Sequence, residues 1–210
     1  KADIVIAEGF FQFTPWALAY AIFNRKPILI AYERTAHTER NCPAWRRMYR
    51  KFVNLFVDGY VVNGILTKQY LVSQGVSENV IFTGAMCADS FHLAEKVKMI
   101  KPEERLFFKR ELHIEKKEII YLYVGQLITR KGVAYLLDAW KEHILSHPND
   151  HLLIVGEGPL FDDFVQGYGF MNSISFVGNI DYSRISEYYA VADVFVIPTL
   201  EDNWSLVVPE

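Results

Sequence analysis

Short apolar runs alternate with longer segments of helical spacing along the whole of this 210-residue chain. Asp3 to Ala7 (DIVIA), Pro27 to Ala31 (PILIA), Gly59 to Val62 (GYVV), Val80 to Phe82, Ile119 to Val124, His151 to Val155 (HLLIV), Ser173 to Val177 and Val194 to Ile197 are rich in Val, Ile and Leu. Such runs mark strands buried on both faces. Helices are predicted between them. One starts at Thr14, which is placed to cap it, with Pro15 in its first turn; Ala44 to Phe56 follows Pro43, and Ile65 to Gln74 is closed by Gly75. Others cover Pro102 to Leu112, the segment after Gly132 in which Val133, Leu136, Leu137, Trp140 and Ile144 recur, Leu160 to Tyr168, and Tyr182 to Ala190. This alternation predicts parallel sheets with helices on both faces. Between Ala94 and Lys117 the composition shifts to Lys and Glu, which places a domain boundary there and divides the chain into residues 1–100 and 101–210.

The chain is 51% hydrophobic and 15% aromatic, enough to bury a sizeable core. Its formal net charge of −3 supplies no field for nucleic acid, so any basic surface is local. Cys42 and Cys87 are too few for a disulfide framework or a zinc cluster, which suits a reducing compartment. No apolar run approaches the ~20 residues of a membrane span. The chain opens at Lys1 without a methionine and ends inside the apolar run LVVPE, so it is expected to be an internal part of a longer protein.

Candidate chemistry gathers in the loops that follow strands. Gln126 to Lys131 lies between the strand ended by Gly125 and a helix amino terminus. Free N–H groups and the helix dipole favour an anion there, and Arg130 and Lys131 add two charges. Read alone, the loop is equally a tight turn with two solvated cations. The loop Tyr32 to Asn41 crowds Glu33, Arg34, His37, Glu39 and Arg40 together; a solvated loop of mutual ion pairs is the plain alternative. Gly156-Glu157-Gly158-Pro159, Gly178-Asn179-Ile180 and Thr199 to Trp204 complete a set of loops that a parallel sheet brings to one edge. GEGP lacks the third glycine of a dinucleotide fingerprint and no P-loop pattern occurs, which disfavours a dinucleotide oxidoreductase and a P-loop NTPase. Asp202 and Glu210 would stand ~12 Å apart along a helix, too far for a glycosidase pair, so they are expected to touch different parts of one extended ligand. His143 and His147 read as helix-end residues. The predicted helix Ala44 to Phe56 sets Trp45, Met48, Phe52 and Phe56 against Arg46, Arg47, Arg50 and Lys51. A packed helix with a solvated basic face is the expectation, and a helix lying on an anionic membrane is the alternative.

VGQLITRKGVAYLLDAW, LLIVGEGP, ISFVGNI, ISEYYAVADVFVIPT and EDNWSLVVPE, in this order and spacing, resemble the donor-binding half of family 4 glycosyltransferases of the GT-B fold. The first hundred residues, with GYVVNGILTKQYLVSQGV and FTGAMCADSF, resemble more loosely the later part of that fold's amino-terminal domain. The resemblance implies two Rossmann-like parallel-sheet domains of GT-B type, both incomplete here. It implies retaining transfer of a hexosyl-type sugar from a nucleotide sugar to a glycan or lipid-linked acceptor, with no cofactor and no required metal. It also implies a cytoplasmic protein, peripheral at the inner face of the membrane. Lys131 would bind the diphosphate; Gln126 stands where the family has a second basic residue, and Arg130 is the candidate replacement. Asp202 would contact the donor sugar and Glu210 the ribose hydroxyls. Backbone N–H groups from Asn203, Trp204, Ser205 and Leu206 would face the sugar and phosphates, with Ser205 where the family has glycine. Asn179 and Ile180 would meet the base. Glu33 occupies about the place of a catalytic-face histidine and His37 follows it, so either is a candidate to approach the acceptor. Another GT-B enzyme, such as a phosphorylase or a nucleotide-sugar epimerase, and a non-catalytic sugar- or nucleotide-binding module are the competing readings.

Overall fold

The computed structural model describes residues 2–84, 87–202, 204–205 and 207. The chain divides into two compact units, residues 1–86 and 87–210. The division falls earlier than the compositional boundary near residue 100, because a helix that the charged composition concealed, α4 (Ser90–Met99), buries Leu93 in the core of the second unit.

In the first unit, strands β1 (Val5–Glu8), β2 (Ile28–Tyr32), β3 (Gly59–Val62) and β4 (Ile81–Thr83) form a parallel sheet in the order β1-β2-β3-β4. Helices α1 (Thr14–Asn24), α2 (Ala44–Asn54) and α3 (Ile65–Ser73) connect them. Ile28, Ile30, Tyr60 and Val62 are fully buried, as the unbroken apolar runs require. Asp58 Oδ2, just ahead of β3, accepts from Ile28 N at 2.8 Å and satisfies the first donor of β2. Thr14 is not a helix cap: its Oγ1 donates to the carbonyls of Gly9 (3.1 Å) and Glu8 (3.4 Å), and so ties α1 to the end of β1. Gly75, at φ +90°, follows α3 as the expected left-handed terminator.

Helix α2 corrects the sequence expectation. Trp45, Met48, Phe52 and Phe56 were expected to pack, yet they are 60%, 73%, 58% and 42% exposed, while Arg50 is buried beside Val53. The buried side is chosen by the polar partner waiting for Arg50. Its Nη1 donates to Glu39 Oε2 at 2.7 Å, and its guanidinium lies 5.7 to 5.9 Å from the ring centres of Phe10, Phe11 and Tyr32.

In the second unit, α4 and α5 (Pro102–Glu111) precede β5 (Ile120–Val124). There follow α6 (Val133–Ser146), β6 (His151–Val155), α7 (Phe161–Tyr168), β7 (Ile174–Gly178), α8 (Ile185–Val191) and β8 (Val194–Phe195), in a parallel sheet ordered β7-β6-β5-β8. Successive residues of β5 and β6 point to opposite faces. Ile120, Leu122, Leu153 and Val155 meet the side holding Phe108 and Tyr188, and Tyr123, Leu152 and Ile154 the side holding Leu137, Trp140 and Phe164. All five residues of β6 are buried. The expected start of the eighth helix at Tyr182 is a 3-10 turn, Tyr182–Arg184, leading into α8. Asp193 Oδ2 accepts from Ile120 N at 2.9 Å, repeating before β8 the device that Asp58 supplies in the first sheet. His143 Nε2 is 2.8 Å from Asp150 Oδ2 and its ring stacks on His147, as suits helix-end residues. No helix among the described residues is long and apolar enough to cross a membrane.

Candidate functional site

The order β7-β6-β5-β8 means that the chain builds outward from β5 to one side and then returns to place β8 on the other. The loops leaving β5 and β8 therefore meet at the carboxyl edge of the sheet, the edge at which a doubly wound sheet binds its ligands where the strand order switches. Among the described residues the first sheet runs in one direction, β1-β2-β3-β4.

Close backbone approaches shape the crevice. Gly132, at φ +69°, links the 3-10 turn Thr129–Lys131 to α6, and a Cβ there would lie 2.1 Å from Pro198 O. Gly156, at φ +131°, would place a Cβ 2.0 Å from Gly125 O. Only glycine lets the three loops draw this near. Leu127 N donates to Glu157 O at 2.9 Å, and Leu200 N and Glu201 N donate to Arg130 O at 2.9 and 3.2 Å, so the loops after β5, β6 and β8 are bonded together.

The cleft they enclose holds about 820 Å³. Gly125, Gln126, Arg130, Lys131, Asn179, Ile180, Asp202, Trp204 and Ser205, all singled out from sequence, line it. Asn203, Leu206 and Glu210 lie outside the described residues. Glu157, Tyr182 and Ile185 also line the cleft. The GEGP loop had marked the neighbourhood of Glu157, whereas Tyr182 and Ile185 read in sequence as ordinary helix residues.

The electrostatics of the cleft converge on one spot. Arg130 and Lys131 stand at the amino end of α6, where the helix dipole is positive and no side chain caps the first turn. Lys131 Nζ donates to Asp202 Oδ2 at 2.5 Å and Arg130 Nη1 to Asp202 Oδ1 at 3.4 Å. Tyr123 Oη donates to Gln126 O at 3.0 Å and fixes the loop; burial pushes the phenol up to about 12, with Arg130 opposing, so it stays a donor. Among the described residues the buried Ser205 Oγ has no hydrogen-bond partner. Two cations, a helix terminus and an unused hydroxyl suit an anionic, hydroxyl-bearing ligand.

In the first unit Glu33 lines a smaller hollow of about 180 Å³ with Glu8, Gln12, Tyr32, Arg34 and Arg50, at the carboxyl ends of β1 and β2. Burial pushes the Glu39 carboxyl up, but the hydrogen bond and charge of Arg50, with Arg34, outweigh it and hold Glu39 below the usual range. His37 is exposed and outside this hollow; its carbonyl accepts from Arg40 Nη1 at 2.7 Å. Among the described residues no group of three or more His, Cys, Asp or Glu side chains is arranged to hold a metal ion.

An uncharacterized glycosyltransferase of Methanocaldococcus jannaschii is 32% identical to the chain over 111 residues, 51% of this chain and 28% of that protein. The alpha-monoglucosyldiacylglycerol synthase of Acholeplasma laidlawii is 26% identical over 105 residues, 49% of this chain and 26% of the relative. The chain thus spans under a third of these relatives. Among solved structures, Anabaena HepE in complex with UDP-glucose superposes with a TM-score of 0.69 at 15% identity, covering 92% of this chain and 52% of that one. The fold is that of the GT-B enzymes, two parallel α/β units. Residues 104–210 match the family described as glycosyl transferases group 1, across every loop of the cleft, and the chain belongs to that family.

Proposed function

We propose that this protein transfers a hexosyl-type sugar from a nucleotide sugar to a glycan or lipid-linked acceptor, with retention of configuration and without a required metal ion. The observation that carries this reading is the meeting of Lys131, Arg130 and the start of α6 inside the cleft at the switch of strand order. The family of the chain, the glycosyltransferase names of its relatives and the UDP-glucose of a structural neighbour support it.

In this reading the donor diphosphate lies on Lys131 and Arg130 beside Gln126. Asn179 and Ile180 receive the base, Asp202 reaches the sugar, and Glu210 the ribose. Asn203, Trp204, Ser205 and Leu206 are the residues assigned to the sugar and phosphates. As the sugar bond breaks, the departing nucleoside diphosphate gains negative charge. Fixed cations and a helix terminus stabilise that charge without reorganising, which is the work a metal ion would otherwise do. Glu33, in the hollow of the first unit, is the candidate acceptor-side group, with His37 on the loop beyond it.

The face of α2 adds a membrane to the reading. Trp45, Met48, Phe52 and Leu55 are exposed among the exposed cations Arg46, Arg47 and Lys51. Such a face suits peripheral binding to an anionic bilayer, at the cytoplasmic side where a lipid-linked acceptor would be found.

The test is incubation of the protein with UDP-glucose labelled at the anomeric carbon and with anionic vesicles containing diacylglycerol, followed by NMR of the products. A glucosylated lipid retaining the donor configuration, formed equally in EDTA, is the expected result. An inverted linkage would contradict retention, and turnover abolished by EDTA would contradict metal independence. An epimerised nucleotide sugar, or free glucose alone, would contradict transfer.

A further inference from the structure

Arg130 and Lys131 place two positive charges at the amino end of a 14-residue helix, whose dipole makes that end positive as well. Charges so placed repel unless an anion lies among them. In the structure that anion is Asp202, one carboxylate oxygen on each cation. The pair is partly sheltered, with the Lys131 and Asp202 side chains 15% and 20% exposed. It is also held mechanically, because Leu200 N and Glu201 N bond to the carbonyl of Arg130 itself and Arg130 Nη1 donates to Glu201 O at 3.3 Å. The loop after β8 is thereby fastened to the residues that the proposed function assigns to the diphosphate.

We infer that Asp202 is an internal competitor for the diphosphate, a carboxylate that occupies the same two cations and must leave them when a nucleotide binds. The inference rests on the reading of the cleft as a nucleoside diphosphate site. It gives one carboxylate two successive places. Paired with Lys131 and Arg130, it neutralises the helix end. Displaced by a phosphate, it is released within the same cleft, where a donor sugar attached to that phosphate lies. After transfer the sugar is gone, the carboxylate returns to the cations, and its return weakens the hold on the departing nucleoside diphosphate. Asp202 is therefore predicted to lower affinity for the product while serving the reaction, an effect opposite in sign to that of a residue that only binds the ligand.

Calorimetry on the whole chain, with UDP, inorganic pyrophosphate and uridine as probes, tests this. Asp202→Asn keeps size and removes the charge; Asp202→Ser is a second variant, and thermal unfolding confirms that each is folded. UDP and pyrophosphate are expected to bind roughly five- to ten-fold more tightly to both variants than to the unaltered chain, and uridine equally to all three. In a Lys131→Ala background the gain is expected to shrink to less than two-fold, because the competed cation is gone. UDP binding that is unchanged or weaker in the Asp202 variants would overturn the inference and leave the donor site standing. A gain shared equally by uridine would overturn it too, since the change would then be one of loop shape. No binding of UDP or pyrophosphate to any form would overturn both the inference and the site reading beneath it.

Discussion

Gly132 and Pro198, in the loops after β5 and β8, approach so closely that a Cβ on the glycine would lie 2.1 Å from the proline carbonyl oxygen. The contact is what lets Arg130 bond to the backbone of Leu200 and Glu201 and brings Asp202 onto Lys131. Gly132→Ala adds a backbone clash to a left-handed φ of +69°. It is predicted to cost about 2–4 kcal/mol of stability and to open the cleft. Denaturant unfolding should show the loss, and UDP affinity should fall with it. A variant as stable as the parent would refute the packing at this point.

His151 supplies a pH dependence that has nothing to do with catalysis. It is the first residue of β6, its Nε2 is 2.9 Å from Ser175 Oγ, and its Nδ1 is buried without a partner among the described residues. Burial, aided by the charge of Lys117, brings its pKa down from 6.5 to about 4. The unfolded chain therefore binds a proton between about pH 6.5 and 4 that the folded chain refuses. Stability from this group is complete above 6.5 and declines as pH falls through that window, by on the order of 3 kcal/mol. Unfolding free energies across the window should show this slope, and His151→Asn should flatten it. An equal slope in the variant would assign the effect elsewhere.

The strands were legible in sequence because strands buried on both faces of a parallel sheet must be continuous runs of Val, Ile and Leu, as in HLLIV. The loops of the cleft were legible for a related reason: each strand ends in glycine or polar residues that no buried strand would carry. The bond between Lys131 and Asp202 was not legible, since it depends on β8 lying beside β5, a neighbourhood that sequence order does not state. Helix α4 was hidden because Leu93 is its one buried residue, leaving little apolar periodicity to see. The orientation of α2 misled for a physical reason. Trp45 and Phe52 stay exposed, and the buried places went to Val53 and to Arg50, whose charge Glu39 meets and whose guanidinium lies over the rings of Phe10, Phe11 and Tyr32.

That same helix gives a prediction for membranes. Arg46, Arg47 and Lys51 near an anionic surface contribute about 1 kcal/mol each at low salt, and the exposed Trp45, Met48, Phe52 and Leu55 add apolar contact. Sedimentation with vesicles rich in phosphatidylglycerol should carry the protein down, and 0.5 M salt or the triple change to Gln should release most of it. Binding indifferent to lipid charge and to salt would contradict the role given to these cations.

Lys131, at the start of α6, is proposed to hold the donor diphosphate. Removing a charge that contacts a phosphate costs on the order of 1.5–3 kcal/mol, or roughly ten- to 150-fold in affinity. Titration calorimetry of UDP into the chain and into Lys131→Ala measures this directly. Binding to the first and a loss of that size in the second, with the fold unchanged, are the expected result. Equal affinity of the two for UDP would contradict it.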